Sequence, residues 1–525
     1  MDREINLDSI RALEEQIREH ERVLIQLKRT RNSLLNVSTR LPPEILGKIF
    51  RWNVIPDGDF GGLPETSHNF LLVCHHWYQV ASGTPELWSF WGDSILDWAR
   101  RHARHRTAPL DLVLSGRSDD YLDGMLRDAL QDRAARGIIR RVHLESYSAE
   151  LLNLVISSIT TKREGPQSNG PVSFILRNLG RSDIVDVSDF FSRYNFPKLR
   201  RLHLLECSIS SWDLLGSRIT SLTSLSLTNC LLLPIPTLSQ LLSILSANPN
   251  LQYLELSYSA VPTADSDSTF SQIQLCCLRT LDLTGDPRRV FGLLTRLEFP
   301  DKLEDLHLFL SNFSPSDLPK TVGPYLRNHI RRRSSDRLRL SVLPYLHHFR
   351  VKVGDACEGD PARVNWFMTV EGNPDVELGE EEADKLCFDI IAHIPQEEII
   401  EVSTTLPFLR SEEPCIQMCN LTHLELKGID VSTWFVVPKI RKPHVFKDIL
   451  RGLRSISISE PSLSGGSWGP LTTFLARRAA VGNRISSLRL HGYPRMGEAV
   501  VQKIRNTVEV FEEWEYYEES DDGSE

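Results

Sequence analysis

The chain has 525 residues, of which 41% are apolar and 25% charged, with a net charge of −9 and an isoelectric point near 6.0. These are globular proportions with room for two to four domain-sized units, and the acidic balance excludes a general nucleic-acid binder, which needs a basic domain or stripe. Nine cysteines without paired spacing, two of them adjacent at Cys276 and Cys277, point to reduced thiols in the cytoplasm or nucleus; a membrane span is excluded because no apolar run reaches about 18 residues.

The start, Met1-Asp2-Arg3-Glu4, lacks the basic-then-apolar pattern of a secretion signal. Residues 1–36 predict one amphipathic helix. Ile10, Leu13, Ile17, Leu24, Leu27 and Leu34 take a and d positions of a heptad interrupted by His20 and Arg31. The expectation is either a short coiled coil or, preferred, a helix packed against the segment that follows.

That segment, residues 37–92, is the stretch around which the rest is organised. It opens Leu41-Pro42-Pro43-Glu44-Ile45-Leu46-Gly47-Lys48-Ile49-Phe50. A proline suits the first helical position, where no backbone N–H is needed, and Glu44 complements the positive end of the helix dipole. Ile45, Leu46, Ile49 and Phe50 then share a face. A second helix is expected to carry Leu72, Val73, Trp77 and Val80, and Thr84-Pro85 starts a third turn that ends at Leu87-Trp88. Fifty residues are few for a self-sufficient core, so apolar surface should remain for a partner.

This pattern resembles an F-box, the module that docks substrate receptors onto the Skp-family adaptor of cullin ubiquitin ligases. The matching positions are Leu41, Pro42, Glu44, Ile45, Leu46, Ile49 and Phe50, then Val73, Cys74 and Trp77, then Leu87 and Trp88. His75 departs from the family's usual Arg or Lys, and the loop at 56–69 is long and glycine-rich. The resemblance implies that Leu41, Pro42, Glu44, Ile45, Leu46, Ile49, Val73, Trp77, Leu87 and Trp88 contact the adaptor.

Across residues 93–508 a frame of the form L-x-x-L-x-L recurs. The clearest copies are Leu199-Leu202-Leu204, Leu222-Leu225-Leu227, Leu251-Leu254-Leu256, Leu278-Leu281-Leu283 and Leu303-Leu306-Leu308. Looser copies are Ile139-Val142-Leu144, Leu346-Phe349-Val351, Leu421-Leu424-Leu426, Leu453-Ile456-Ile458 and Ile485-Leu488-Leu490. The spacing is similar to that of leucine-rich repeats. Each copy predicts a short strand whose alternate leucines face one side, stacked in parallel on its neighbours. Residues 237–247 and 468–481 read as return helices. The expected fold is therefore α/β: an N-terminal helix, a three-helix F-box and a leucine-rich-repeat solenoid with a curved parallel sheet.

Near 312–420 the frame lapses. Residues 327–339 carry six arginines, read as a solvated connector helix before a nuclear-localisation patch; 349–353 and 364–370 pair as a hairpin, and 380–394 form a helix. Residues 509–525 hold nine acidic positions and read as a disordered tail.

Enzymatic signatures are weak. Gly465-Gly466-Ser467-Trp468-Gly469 matches the serine-hydrolase elbow, but His491 is the sole histidine after it and no acid lies between. Cys74-His75-His76 and the Cys415/Cys419 pair lack the second ligand pair of a structural zinc site. Neither an enzyme nor a metal or organic cofactor is expected. Residues flanking the inward leucines would recognise a protein: Arg141, His143, Arg201 and His203 first, then Ser224, Ser226, Thr228, Tyr253, Glu255, Asp282, Asp305 and Phe309, then His348, Arg350 and Lys352. Tyr253, Glu255, Asp282, Asp305, Phe309 and Arg350 are the foremost candidates, with the two aromatics as anchors. The expected role is a substrate-recognition subunit of an SCF-type ligase, reached by cullin through the adaptor, with no nucleic-acid or membrane partner. The alternative is a leucine-rich scaffold without a ligase role, in which the helical hairpin caps the solenoid.

Overall fold

A computed structural model of the chain describes residues 7–35, 41–54, 71–88, 90–91, 110–116, 139–146, 148–159, 171–180, 185–193, 196–210, 212–229, 235–262, 272–300, 303–314, 318–333, 338–344, 349–356, 364–373, 380–405, 418–431, 435, 450–461, 468–493 and 496–515. The protein is mixed α/β, with mostly parallel sheet pairing. It divides into two compact units: Met1–Val185 with Arg193–Leu199, and Asp186–Ser192 with Arg200–Glu525. Among the described residues, no helix is long and apolar enough to cross a membrane.

The first unit begins with helix α1 (Leu7–Leu35). Its Ile10, Leu13, Ile17, Leu24 and Leu27 are all exposed, so the preferred expectation of packing against the next segment is not met. That segment has its own small core. Helix α2 (Pro43–Val54), helix α3 (His75–Gly83) and a single 3-10 turn (Pro85–Trp88) bury Leu46, Phe50, Leu71, Ala81 and Leu87 together, with Leu41, Trp77 and Val80 packed against them.

Strand β1 (Phe90–Trp91) follows the turn and pairs in parallel with β2 (Leu110–Gly116). Strands β3 (Ile139–Ser146) and β4 (Ser173–Asn178) extend the parallel order. Helix α4 (Ala149–Ile159) joins the last two. Strands β2 and β4 lack the leucine frame, and the sequence reading missed both. Val142 and Leu144 are buried as the frame requires, paired with Leu112 and Leu114 on one side and Phe174 and Leu176 on the other.

In the second unit, β5 (Arg201–Leu205), β6 (Ser224–Thr228), β7 (Tyr253–Ser257), β8 (Thr280–Gly285) and β9 (Asp305–Ser311) are parallel and in register. Leu202, Leu225, Leu254, Leu281 and Leu306 stand side by side in one row, and Leu204, Leu227, Leu256, Leu283 and Leu308 in the next. Every one of them is at most 1% exposed. The period-2 alternation thus puts the leucines on the covered side and the intervening residues on the open side.

Connecting helices carry their own start signals. For α6 (Leu238–Ser246), after α5 (Trp212–Arg218), the Thr237 hydroxyl accepts from Gln240 N–H while the Gln240 side chain accepts from Thr237 N–H. For α7 (Pro287–Leu294) the cap is Asp286, with proline at the first position. Buried Asn248 ties two repeats together. Its carbonyl oxygen accepts from Leu222 N–H at 2.8 Å, and its amide donates to Ile219 O and Ile244 O.

The interruption of the frame is an inserted antiparallel segment. After α8 (Leu318–Arg333), strand β11 (Phe349–Ala356) pairs antiparallel with both β10 (Leu338–Pro344) and β12 (Val364–Asn373). Strand β12 pairs in parallel with β9, and β10 pairs in parallel with β13 (Ile399–Thr404), which follows α9 (Glu380–Ile391). The hairpin expectation holds here, whereas reading Leu346-Phe349-Val351 as a parallel repeat strand is overturned. Phe349 faces Gly372, where a Cβ would lie 2.3 Å from the phenyl ring, so only glycine admits this approach.

The arginine run is also not one connector helix. Arg331–Arg333 end α8, whereas Arg339 lies in β10, 13% exposed and ion-paired to Glu401 at 3.2 Å and Glu425 at 3.6 Å.

Strands β14 (His423–Lys427), β15 (Ser455–Ser459), β16 (Ser487–Tyr493) and β17 (Val510–Glu515) complete the parallel order. Helices α10 (Gly469–Ala480) and α11 (Glu498–Arg505) lie between the later ones. Strand β17 corrects the expectation of a disordered tail from residue 509. Valine, phenylalanine and tryptophan give residues 510–515 strand-forming content that a count of acids hides; residues 516–525 lie outside the described residues.

Candidate functional site

Two surfaces stand out, one in each unit. The first is an apolar face on the helical module. Cys74 caps α3 by accepting from Trp77 N–H through its sulfur at 3.5 Å. Thr84 ends the helix, its hydroxyl donating to Val80 O at 2.8 Å while its carbonyl accepts from Leu87 N–H to start the 3-10 turn. A Cβ on Gly47 would come within 3.2 Å of the Thr84 hydroxyl, so α2 approaches this corner closely. Phe50 and Trp77 rings meet at 5.0 Å and lock the two helices.

On that base Ile45 is 42% exposed, Ile49 39%, Leu72 85% and Val73 53%. Pro42 and Glu44 are exposed beside them, and Leu41 and Trp77 are half-buried. Of the residues expected at an adaptor interface, Pro42, Glu44, Ile45, Ile49 and Val73 are therefore accessible. Leu46 and Leu87 are corrected: both lie in the module's core, because α2 must bury one side to hold α3. The side chain of Trp88 lies outside the described residues. Leu72 and Val73 precede α3 instead of lying on it, so Leu71 takes the core position and Leu72 points to solvent.

The second surface is the open side of the sheet in the second unit. The register sets His203, Ser226, Glu255, Asp282, His307, Thr369 and Lys352 in one lateral row. Tyr253 and Asp305 flank it in the row before; Phe309, Glu371 and Arg350 occupy the row after. All six foremost candidates thus share this side, whereas His348 lies outside the described residues. Arg141 and His143 belong to the first unit, where burial first and Arg177 second lower the His143 pKa.

The row is tied by side-chain bonds. Glu255 accepts from the Ser226 hydroxyl at 2.6 Å and the Tyr253 hydroxyl at 3.0 Å, and the tyrosine ring stacks on His203 at 5.9 Å. Burial, then the neighbouring Glu255, pushes the phenol's pKa well above its usual range, so Tyr253 is a donor at any physiological pH. His307 lies 3.1 Å from Asp282 and 3.7 Å from Glu371, and Glu371 also pairs with Arg350 at 2.6 Å. The hydrogen bond to Asp282 raises the His307 pKa against the opposing effect of burial. Burial raises that of Asp305, with Asp282 adding to it.

His307 was missed in the sequence although it sits between Leu306 and Leu308, the same signal that marks Asp282. Glu371 was missed because the inserted hairpin carries it and Glu401 because β13 lacks the leucine frame, whereas Glu425, between Leu424 and Leu426, bore the same signal as His307. This arrangement offers paired charges and fixed donors to a polar, patterned partner. Among the described residues no group of three or more His, Cys, Asp or Glu could hold a metal ion. The Gly465-Gly466-Ser467 elbow lies outside the described residues.

No protein-family model matches the sequence, and no curated protein matches it. The family resemblance therefore rests on the sequence motifs alone.

A separate cavity of about 340 Å³ lies between α7 and α8, lined by Leu294, Leu297, Phe299, Tyr325 and His329 with Gln272, Glu298 and Asn328. Tyr325 and His329 stack at 6.1 Å and fill its wall as a packed aromatic layer.

Proposed function

We propose that the chain is the substrate-recognition subunit of an SCF-type cullin ubiquitin ligase. Residues 41–88 dock a Skp-family adaptor as an F-box, and the open side of the leucine sheet, read as a leucine-rich-repeat arc, binds a protein substrate. The observation that carries this reading is the face of Ile45, Ile49, Leu72 and Val73, left in water although a complete core lies beneath it. Exposed apolar patches of this kind mark protein contacts. A hairpin that only capped the solenoid would bury that face, so the scaffold alternative is less well supported.

The chain itself performs no covalent step in this reading. It raises the effective concentration of substrate lysines beside a charged ubiquitin-conjugating enzyme. Among the described residues, Cys74, Cys276, Cys277, Cys387 and Cys419 carry thiols outside any disulfide, which fits a cytoplasmic or nuclear site of action. On the sheet, mixed charge suits a protein surface better than a phosphate backbone.

Affinity capture with the full chain tests this. The wild type should retain the adaptor and, through it, cullin; substituting Tyr253, Asp282, Phe309 and Arg350 together should lose substrate and keep both. Loss of adaptor in that variant, or retention of every co-captured protein, would remove the sheet as the recognition surface.

A further inference from the structure

Helix α1 spans 29 residues, about 43 Å. Ile10, Leu13, Ile17, Leu24 and Leu27 form one stripe along it, each between 44% and 63% exposed. Val23, 48% exposed, lies beside the stripe at its centre. The charge along the helix is uneven. Glu14, Glu15, Glu19 and Glu21 fall in the first two-thirds and no acid follows, whereas Lys28, Arg29 and Arg31 fill the end.

We propose that α1 pairs antiparallel with α1 of a second copy of this chain. One register places every a residue of the heptad against a d residue: Leu13 against Arg31 of the second copy, Ile17 against Leu27, and His20 against Leu24. By the two-fold symmetry each layer occurs twice. In this register Glu14, at an e position, lies across from Lys28 of the second copy, again twice. Val23 meets its own counterpart at the two-fold axis, which accounts for an apolar residue outside the a and d positions. Arg31 reaches past Leu13 toward Glu14. One like-charge contact remains, between the two copies of Glu21.

Parallel pairing is disfavoured by the same residues. It would stack Arg31 on Arg31 and His20 on His20 in the seam, and it would set Lys28 beside Val23 with no acid opposite. A seam of about three heptads in which two kinds of layer carry a polar residue, each occurring twice, gives a reversible dimer, not an obligate one.

Sedimentation equilibrium of the full 59.8 kDa chain tests the pairing. The wild type should dimerise in the micromolar range, and Ile17→Asp with Leu24→Asp should give monomer with unchanged melting temperature, since neither residue is in a core. Glu14→Lys alone or Lys28→Glu alone should each weaken the dimer about tenfold by setting like charges opposite one another twice. The two together should return it to within about twofold of wild type. A wild-type chain still monomeric at about 100 µM, well above the micromolar constant expected, or a dimer unaffected by the Asp pair, would overturn the proposal; a combined charge swap no better than the single ones would overturn the antiparallel orientation.

Discussion

Arg478 shows how much one residue can hold. It is 1% exposed, on α10, and donates to the carbonyls of Leu450, Leu453 and Asn483 at 2.9 to 3.0 Å. Burial pulls its pKa down to about 10, so the guanidinium stays charged at neutral pH and adds a donor to each of these carbonyls, of which Leu450 O also accepts from Leu453 N–H. Arg478→Met keeps most of the stem but removes three buried charge-assisted hydrogen bonds, and should cost about 3 kcal/mol in thermal or urea unfolding; a loss under about 1 kcal/mol would mean that water substitutes for the guanidinium. Nothing in the sequence marks this residue, because an arginine on an amphipathic helix ordinarily faces solvent. His307 makes a second residue-scale prediction. Its partners are Asp282, Asp305 and Glu371, and its folded pKa is raised, so it binds a proton more tightly in the native state than in the unfolded chain. Its contribution is therefore full below the ordinary histidine value of 6.5 and is lost as pH rises through the folded pKa. The stability difference between wild type and His307→Gln, followed by urea unfolding from pH 5.5 to 8.5, should shrink with rising pH; growth with pH would reverse the sign assigned here.

At the scale of elements, the leucine frame supplies both register and sidedness. Leu254→Asp would bury an unpaired carboxylate in a row whose members are fully covered, costing several kcal/mol, whereas Thr280→Lys on the open side, next to Asp305, should change stability by less than about 0.5 kcal/mol. Differential scanning calorimetry separates the two, and equal losses would contradict the assigned sides. An open-side position is not automatically tolerant, however. Ser226 is 5% exposed and donates to Glu255, so an acid there would face a carboxylate. The strands from β5 to β9 were legible because a period-2 pattern with identical leucines repeats at similar spacing. Strands β4, β13 and β17 were not, since their apolar residues are mixed and largely not leucine, and β2, although it carries Leu110, Leu112 and Leu114, has a proline at 109 where the frame needs its first leucine. The hairpin at 349–373 was legible, but not that it would keep the sheet continuous by offering parallel edges to β9 and, through β10, to β13.

For the molecule as a whole, the two candidate surfaces differ in how the sequence announces them. The apolar face of the module follows from Pro42, Glu44, Ile45 and Ile49 at helical spacing, yet helical spacing alone could not tell Leu46 from Ile45; only the packing of α3 decides which side is core. On the sheet, Tyr253, Glu255 and Asp282 could be placed on one side by counting, while their coupling to His203, Ser226 and His307 depends on register between strands. The central claim is that the module's exposed face docks a Skp-family adaptor. Isothermal titration of a purified adaptor into the full chain tests it most directly. The wild type should bind with a dissociation constant at or below about 1 µM, corresponding to roughly 8 kcal/mol. Ile45→Asp with Val73→Asp should weaken this by at least about a hundredfold, through lost apolar contact and buried charge, while leaving the melting temperature within about 2 °C. No heat of binding from the wild type, or equal affinity in a folded double variant, would contradict the account.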